Sequence, residues 1–370
     1  MIKAQVIADS ENKFGNRITT MVVTFPRIIL AELNTHRMMS RNSASSRAIP
    51  FEKMLKSVEE NPFIPIAWQK DHKGMQGSEY LEGQNEGEAT EQWLIARDGA
   101  VKQALILSGG NKLPNPEGGL NVTKQLCNRL LEPFMYHTVL ITATEWENFF
   151  VLRCPQYSLK GTEWEQFYNV EPKDSVKEVL FRSKKDALKY YQGSESFYYK
   201  DLVELDWLKL NKGQAEIHMM ALAEAVWDAM NESVPVYLRD GEWHIPFKNK
   251  MDSKKIEKFA WIENKERNLS PLETEIAIST ARCARVSYTV VGEEGKPPNY
   301  ENDIKLHDRL AASGHWSPFE HCAQAMEEDD TLRNATYPGQ DCKYPDGWSG
   351  NFKGFIQYRK QFTNENITNK

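Results

Sequence analysis

The amino-acid sequence predicts an α/β protein in which strands near the N-terminus precede a substantial helical portion. Two early stretches, residues 2–8 and 17–25, alternate apolar and polar side chains at a period of two, as half-buried strands do. Later stretches repeat apolar side chains at intervals of three and four residues, as amphipathic helices do. The chain has 370 residues, which suffices for one large or two ordinary domains.

The second predicted strand leads into a helix and then a polar segment. Pro26 suits the first position of a helix. Ile29, Leu33 and His36 lie on one face of that helix because they are spaced by four and three residues. Residues 40–48 (SRNSASSRA) are polar and serine-rich, which predicts an irregular loop.

The middle of the chain carries further helical patterns. Thr144 and Glu147 have the spacing of a capping box ahead of the apolar run Phe149–Leu152, which predicts a helix there. Longer amphipathic patterns predict helices over 89–108, 121–136, 172–191 and 212–231.

Helix starts near the C-terminus are marked by serine, proline and glutamate. Residues 270–273 (SPLE) combine a capping box with proline at the first helical position, which predicts a helix to about Val286. Residues 302–313 form another helical pattern, which Gly314 ends. Residues 317–320 (SPFE) repeat the capping pattern and predict a further helix start.

Composition excludes several classes of protein. The longest apolar runs fall well short of the roughly 18 residues of a membrane span, and the N-terminus lacks the apolar stretch of a signal peptide. The net charge is −6 without a long basic run, which argues against nucleic acid as a partner. Five scattered cysteines without a C-x-x-C pair indicate a reducing compartment, so we expect a cytoplasmic protein without a zinc site.

A short segment after the first helix concentrates polar chemistry. Its pattern contains two arginines, two serines, a histidine and an amide: His36, Arg37, Ser40, Asn42, Ser45 and Arg47. Arginine gives permanently charged, bidentate contacts to phosphate, and hydroxyls fill the remaining acceptor positions. The segment therefore predicts a phosphate-bearing ligand, and the alternative is a solvated loop whose serines bond their own backbone.

This segment resembles the signature of flavin-dependent thymidylate synthases, Arg-His-Arg-x-x-Ser-x-Asn-Glu-x-Ser-x-Arg. Six positions match in register, whereas Thr35 stands where the family has its first arginine and Ser43 stands where it has glutamate. Two other strings also resemble the family. Residues 314–321 (GHWSPFEH) are similar to its His-Gly-His-x-Thr/Ser-Pro-Phe-Glu-His segment, and residues 284–288 (ARVSY) are similar to the run that precedes it.

The chain is similar to the family in two more places. Residues 148–153 (NFFVLR) resemble an Asn-Phe-x-x-Leu-Arg run, and residues 213–217 (GQAEI) resemble the Ala-Gln-x-Glu-Ile that follows it. Arg129 lies in a run similar to the family's Ala-Arg-x-x-Leu-Pro, although a surface arginine in a salt bridge explains it almost as well.

The resemblance implies an α/β fold with a central sheet, and a homotetramer with sites between its subunits. It implies FAD as cofactor, NADPH as reductant and methylene-tetrahydrofolate as one-carbon donor, with dUMP methylated to dTMP. Catalysis is assigned by resemblance to Arg153 and Ser45. Nucleotide binding is assigned to Glu32, Ser43, Ser45, Ser46, Arg47, Arg129 and Arg153. Flavin binding is assigned to Thr35, His36, Arg37, Asn148, His315, Ser317 and Glu320.

The order of the motifs departs from the family. The GHWSPFEH segment normally precedes the arginine signature and here follows it, which predicts a circularly permuted core. We expect this core at 1–154 and 212–370, with 155–211 as an insertion.

Other functions stay open at this stage. Within the same class, the acceptor could be another pyrimidine deoxynucleotide such as dCMP, and the product could be hydroxymethylated. The replacements at Thr35 and Ser43 leave room for an inactive nucleotide-binding relative. A third alternative is a metal-dependent hydrolase that uses His244, His315 and His321.

Overall fold

The protein is represented by a computed structural model. It describes residues 1–73, 77, 79–109, 119–154, 158–160, 163–165, 168–170, 179–181, 208–209, 215–263, 267–288, 299–327 and 349–365. Gln214 and most of the expected insertion at 155–211 lie outside the described residues.

A five-stranded sheet lies at the centre of the fold. The strands of the protein are β1 (Lys3–Asn12), β2 (Arg17–Pro26), β3 (Ser40–Ser43), β4 (Tyr136–Ala143), β5 (Ser158–Lys160), β6 (Glu163–Glu165), β7 (Tyr168–Val170), β8 (Val179–Phe181), β9 (Val236–Leu238), β10 (Trp243–His244), β11 (Ala323–Ala325) and β12 (Phe355–Gln357). The central sheet has the order β3-β4-β2-β1-β9, and β10, β11 and β12 form a second sheet. All neighbours in the central sheet are antiparallel except β1 and β9.

The helices of the described residues are α1 (Leu30–Leu33), α2 (Phe51–Glu60), α3 (Gln84–Ser108), α4 (Lys124–Leu131), α5 (Glu147–Arg153), α6 (Ile217–Glu232), α7 (Ser253–Lys258), α8 (Pro271–Arg285) and α9 (Tyr300–Ala312). Helices α5 and α6 pack on one face of the central sheet, and the end of α8 packs on the other. The α/β class with a central sheet is thus confirmed. Of the helices that the structure describes, none combines the length and apolar character needed to cross a bilayer.

Strand β4 explains how the sheet separates two cores. Val139 and Ile141 alternate onto one face, where they pack with Phe149 of α5 and Leu222 of α6. Leu140 points to the opposite face and packs in a cluster with residues of α8 and the turn that follows it. Because a strand alternates its side chains, the two faces bury different helices against one apolar strand.

Several predicted elements are confirmed. The pattern at 89–108 corresponds to α3, the pattern at 212–231 to α6 and the pattern at 302–313 to α9. At the start of α8, Ser270 and Glu273 form both bonds of the predicted capping box. The helix predicted at 172–191 falls mostly outside the described residues, and its described part, β8, is a strand.

Two predictions about the central sheet were wrong. Residues 40–43 form β3, since the polar segment hydrogen-bonds to β4 and buries the side chains of Ser40 and Asn42. The helix predicted over 121–136 ends at Leu131, and the β-branched run from Tyr136 enters the sheet as β4.

Two predicted capping boxes do not form. Trp146, and not Thr144, lies at the N-cap position of α5, while the Thr144 hydroxyl accepts a bond from the backbone N–H of Lys353. Residues 317–320 form only a 3₁₀ turn, and neither side chain caps it. In both places a long-range partner replaces the local bond that the spacing predicts.

Candidate functional site

Arg153 lies at the centre of a polar cluster at the end of α5. Its Nε donates to His36 Nε2 at 3.1 Å, and a terminal nitrogen lies 3.3 Å from Glu32 Oε2. The other terminal nitrogen donates to Thr35 Oγ1 at 3.4 Å. Three partners therefore hold the guanidinium in one orientation. All three lie in the segment around His36, which precedes Arg153 by 117 residues in the sequence.

His36 is neutral in this cluster. Burial, and then the charges of Arg153 and Arg41, lower its pKa to about 4, whereas a hydrogen bond with Asn148 acts in the opposite direction. Since Nε2 accepts the Arg153 bond, the ring proton lies on Nδ1. The ring also packs edge-on against Phe149, with centroids 5.0 Å apart.

Glu32 faces a second carboxylate that the sequence assignment left out. The pKa of Glu32 is raised by burial and by Glu216, although the Arg153 charge lowers it. Glu216 caps α6 by accepting from the backbone N–H of His218 at 3.0 Å. Its place in the Gln-Ala-Glu-Ile match was the signal that could have found it.

Arg41 ties the signature segment together from within. Its guanidinium donates to the backbone oxygens of Leu33 and His36, each at 3.0 Å. The sequence assignment missed it because it occupies an unspecified position of the family signature. The Ser317 hydroxyl donates to the Arg41 backbone oxygen at 2.8 Å, which joins two motifs 276 residues apart.

Asn42 connects β3 to the turn after α8. Its Nδ2 donates to the backbone oxygen of Cys283 at 2.6 Å, and its Oδ1 accepts from Ser287 Oγ at 3.2 Å. The backbone N–H of Ser45 donates to the Ser287 oxygen at 3.0 Å. The ARVSY run is therefore packed directly on the signature segment.

The remaining predicted nucleotide residues lie beyond β3. Ser43 ends that strand and is half-buried, as Ser45 and Ser46 are. The backbone oxygen of Ser46 accepts from Asn128 Nδ2 at 2.8 Å, which places α4 and its exposed Arg129 beside this loop. Among the described residues, no hydrogen bond or ion pair joins this group to Arg153.

The predicted residues at 315–320 have different surroundings. Glu320 forms an ion pair with Arg359. His315 is exposed, and its Nδ1 lies 2.8 Å from Ser313 Oγ. The structure brings Ser317 to β3, and the charge of Glu320 also acts on Arg41, whereas the described side-chain bond of His315 is to its own turn.

A chain of buried hydrogen bonds crosses the sheet behind this cluster. His244 Nδ1 lies 2.9 Å from Ser10 Oγ, and its Nε2 lies 2.8 Å from Thr20 Oγ1. Thr20 meets Thr142 at 2.7 Å, and Thr142 meets His321 Nδ1 at 2.8 Å. His244 and His321 thus belong to the core while His315 is on the surface, and the three do not converge on one point.

Phosphate-bearing ligands fit the exposed cations around the cluster. Arg37, Arg47 and Arg129 are exposed, and over the part of the chain that the structure describes none has a carboxylate within 4 Å. Guanidinium groups without a carboxylate partner suit the phosphates of a nucleotide or a flavin dinucleotide. The residues present therefore fit the cofactor that the resemblance implies.

Comparisons with known proteins add a structural likeness. A scan against protein-family models found no match, and neither did a search of curated proteins. The chain is similar to the UMP/dUMP methylase PolB from Streptomyces cacaoi bound with 5-Br dUMP, with a TM-score of 0.30 and 10% identity over 45% of this chain and 83% of that chain. For PolB bound with 5-Br UMP, the TM-score is 0.29, and the identity is 12% over 44% of this chain and 80% of that chain. What this chain does is therefore inferred from its own residues.

Proposed function

We propose that this protein transfers a one-carbon unit to C5 of a pyrimidine deoxynucleotide in a flavin-dependent reaction, with dUMP as acceptor and dTMP as product. One observation carries the proposal: motifs that resemble one family are far apart in the chain and meet in the fold. Arg153 bonds His36, and Ser317 bonds the backbone of Arg41. Unrelated surface residues would have no reason to converge in this way.

The chain's own residues would bind and orient the nucleotide. Arg153 is held by three partners before any ligand arrives, so little reorganisation is needed when negative charge develops on the pyrimidine ring. Arg47 and Arg129 would bind the phosphate, with Ser43, Ser45 and Ser46 nearby.

Other residues of the motifs that resemble the family would contact the cofactor. His36, Arg37, Asn148, His315, Ser317 and Glu320 would line a bound FAD, and Thr35 would take the place of the family's arginine. When bound, FAD reduced by NADPH supplies a hydride, and methylene-tetrahydrofolate supplies the carbon. His36 would add no charge to this site, because its pKa is lowered to about 4.

The first test is the visible absorption spectrum of the purified protein incubated with FAD. A retained flavin band that dUMP perturbs, followed by dTMP formation with NADPH and methylene-tetrahydrofolate, is the expected result. Perturbation and turnover with dCMP in place of dUMP would move the acceptor to cytosine. Binding of both ligands without turnover would favour the inactive relative, for which the replacements at Thr35 and Ser43 are the specific observation.

Assembly and domain layout stay predictions of the same proposal. A homotetramer, as the resemblance implies, would bring exposed cations of one copy to the cluster of another. The permuted core at 1–154 and 212–370, with its insertion at 155–211, likewise awaits a test. Light scattering on the purified protein would measure the oligomeric state directly.

A further inference from the structure

Arg41 lies between two motifs to which the resemblance assigns flavin binding. Its Nη1 donates to two backbone oxygens of the turn at residues 33–36, each at 3.0 Å. From the second motif, Ser317 Oγ donates to the Arg41 backbone oxygen at 2.8 Å, and the charge of Glu320 acts on the guanidinium. One arginine thus interacts with both motifs, although they are 276 residues apart in the chain.

Strand β3 directs this side chain toward the cluster around Arg153. Arg41 pairs with Ile141 of β4, and paired residues of antiparallel strands have their side chains on the same face of the sheet. Ile141 packs in the core cluster that contains Phe149 of α5, the helix that ends at Arg153. The electrostatics agree with this placement, because the charges of Arg153 and Arg41 both lower the pKa of His36.

Part of the Arg41 guanidinium has no partner among the described residues. Both of its hydrogen bonds come from Nη1, so Nε and Nη2 donate to no described atom. Neither of these nitrogens is fully buried, so a ligand has access to them. Within the described part of the chain no carboxylate lies within 4 Å of the guanidinium, and Glu320 is itself paired with Arg359. Since burial lowers the pKa of Arg41, an anionic ligand would stabilise its charge.

The turn at residues 33–36 lacks a cation that the family signature has. That signature begins with arginine, and Thr35 stands at this position. Thr35 is exposed, and its hydroxyl donates to the backbone oxygen of Glu32 at 2.7 Å. Position 41 is unspecified in the signature and holds arginine here, and its guanidinium reaches the same turn from β3. A guanidinium is thus absent at residue 35 and present beside it from another element.

We propose that Arg41 binds the pyrophosphate of a flavin dinucleotide and supplies the charge that the family places at the position of Thr35. This inference rests on the flavin-dependent function proposed above. Nε and Nη2 form one edge of the guanidinium, and such an edge binds two phosphate oxygens through parallel bonds. The bonds of Nη1 hold this edge in place before a ligand arrives. The nucleotide phosphate is the competing anion, and the contacts of Arg41 with His36 and Ser317 favour the flavin.

Calorimetric titration of the full chain with FAD, and then with dUMP at saturating FAD, tests the proposal. Arg41→Gln keeps a hydrogen-bond donor and removes the charge, so it should weaken FAD about tenfold and leave dUMP affinity within about twofold. Arg41→Lys keeps the charge without the paired donors and should give an intermediate FAD affinity. Arg97→Gln is the matched control, because Arg97 is half-buried and donates to the backbone oxygen of Val58 at 3.3 Å in another part of the fold. It should leave FAD affinity unchanged.

A second substitution separates ligand binding from a purely structural role. Thr35→Arg in the Arg41→Gln background returns an arginine to the signature position and should restore FAD affinity to within about threefold of the parent. If Arg41 only braced the turn at residues 33–36, this substitution would not restore affinity, because the bonds to the two backbone oxygens would not be replaced.

The possible results distinguish this inference from the proposed function. A parent protein that binds no FAD refutes the flavin-dependent function and the role of Arg41 with it. FAD binding by the parent and equal FAD affinity in Arg41→Gln refute the role of Arg41 alone. Weaker dUMP binding with unchanged FAD binding in that variant assigns Arg41 to the nucleotide phosphate and overturns the proposal. Loss of FAD affinity that Thr35→Arg does not restore shows a structural role and also overturns it.

Discussion

Two histidines from the recognised motifs have contrasting environments, although both are neutral. His36 is 6% exposed and accepts a hydrogen bond from the Arg153 guanidinium. The same cluster includes Glu32, whose side chain is 40% exposed. His321 is fully buried among threonines, and its Nε2 has no partner among the described residues. His36 therefore belongs to the cluster around Arg153, and His321 belongs to the core. Motif membership alone does not distinguish them.

The buried chain of hydrogen bonds from His321 to His244 has one favoured order of donors and acceptors. If Thr142 donated to His321 Nδ1, the ring proton would lie on Nε2, where the buried N–H would have no acceptor among the described residues. An unpaired buried donor costs more than an unpaired lone pair, so we assign the proton to Nδ1. Thr142 then donates to Thr20, and Thr20 donates to His244 Nε2.

The largest effect on activity is expected in the cluster around Arg153, which contains His36. Arg153→Ala should lower turnover of the nucleotide by about 100-fold to 1,000-fold, because the preorganised electrostatic contact to the pyrimidine that we propose would be lost. The free energy of unfolding should change little, since the Glu32 side chain that Arg153 pairs with is 40% exposed. Steady-state kinetics and urea denaturation measure both. Turnover within a few fold of the parent would remove Arg153 from the catalytic assignment.

In the buried chain of hydrogen bonds around Thr142, we expect a loss of stability without a loss of nucleotide affinity. Thr142→Val should lower the free energy of unfolding by about 2–3 kcal/mol, because it leaves Thr20 and His321 without their shared partner. Nucleotide affinity should stay unchanged. Thr138→Val is the matched control on the same strand, since no hydrogen bond of its hydroxyl occurs among the described residues. Equal destabilisation by both variants would refute the chain as a stabilising element.

Acid should lower the free energy of unfolding through the buried histidines His244 and His321, at a pH above the range in which carboxylates with ordinary pKa values titrate. Burial lowers the pKa of His321 to about 3 and that of His244 to about 4, against an ordinary value of 6.5. Between these values the unfolded chain binds more protons than the folded one, so stability is complete above pH 6.5 and falls as pH decreases toward 4. Urea denaturation at pH 7 and pH 5 should show a loss of about 1–2 kcal/mol for each of the two histidines.

A variant without a titrating ring checks that assignment. His321→Gln should be less stable at pH 7 but should lose less stability between pH 7 and pH 5 than the parent. A pH dependence identical to that of the parent would show that other groups carry it.

The smallest effect on stability is expected at Ser317, whose hydroxyl joins the 314–321 segment to the signature segment at Arg41. Ser317→Ala removes the bond from Oγ to the backbone of Arg41 and should cost about 1 kcal/mol of unfolding free energy. Ser313→Ala is a suitable control, because Ser313 is exposed and bonds only within its own turn. Destabilisation of the same size in both would mean that the bond across the 276 residues contributes nothing specific.

Much of the fold could be predicted because its signals are local. Period-two alternation specified β1 and β2, and the capping box at Ser270 specified the start of α8. The resemblance to the family named two residues of the cluster around Arg153: the signature lists His36, and the Asn-Phe-x-x-Leu-Arg run lists Asn148, which bonds His36. Glu216 was quoted in a match and still left out of the site, since nothing local showed that it faces Glu32.

Sequence by itself therefore determined the capped start of α8 and the first two strands, and it supplied the set of side chains that we propose to bind phosphate. Tertiary structure alone decided that the polar segment at Ser40 becomes a strand, because its backbone groups are satisfied by β4 and not by neighbours in sequence. It also decided that Thr142 and His321 serve the core while His36 serves the cluster around Arg153. Burial and hydrogen-bond partners depend on residues hundreds of positions apart, and periodicity and spacing do not contain that information.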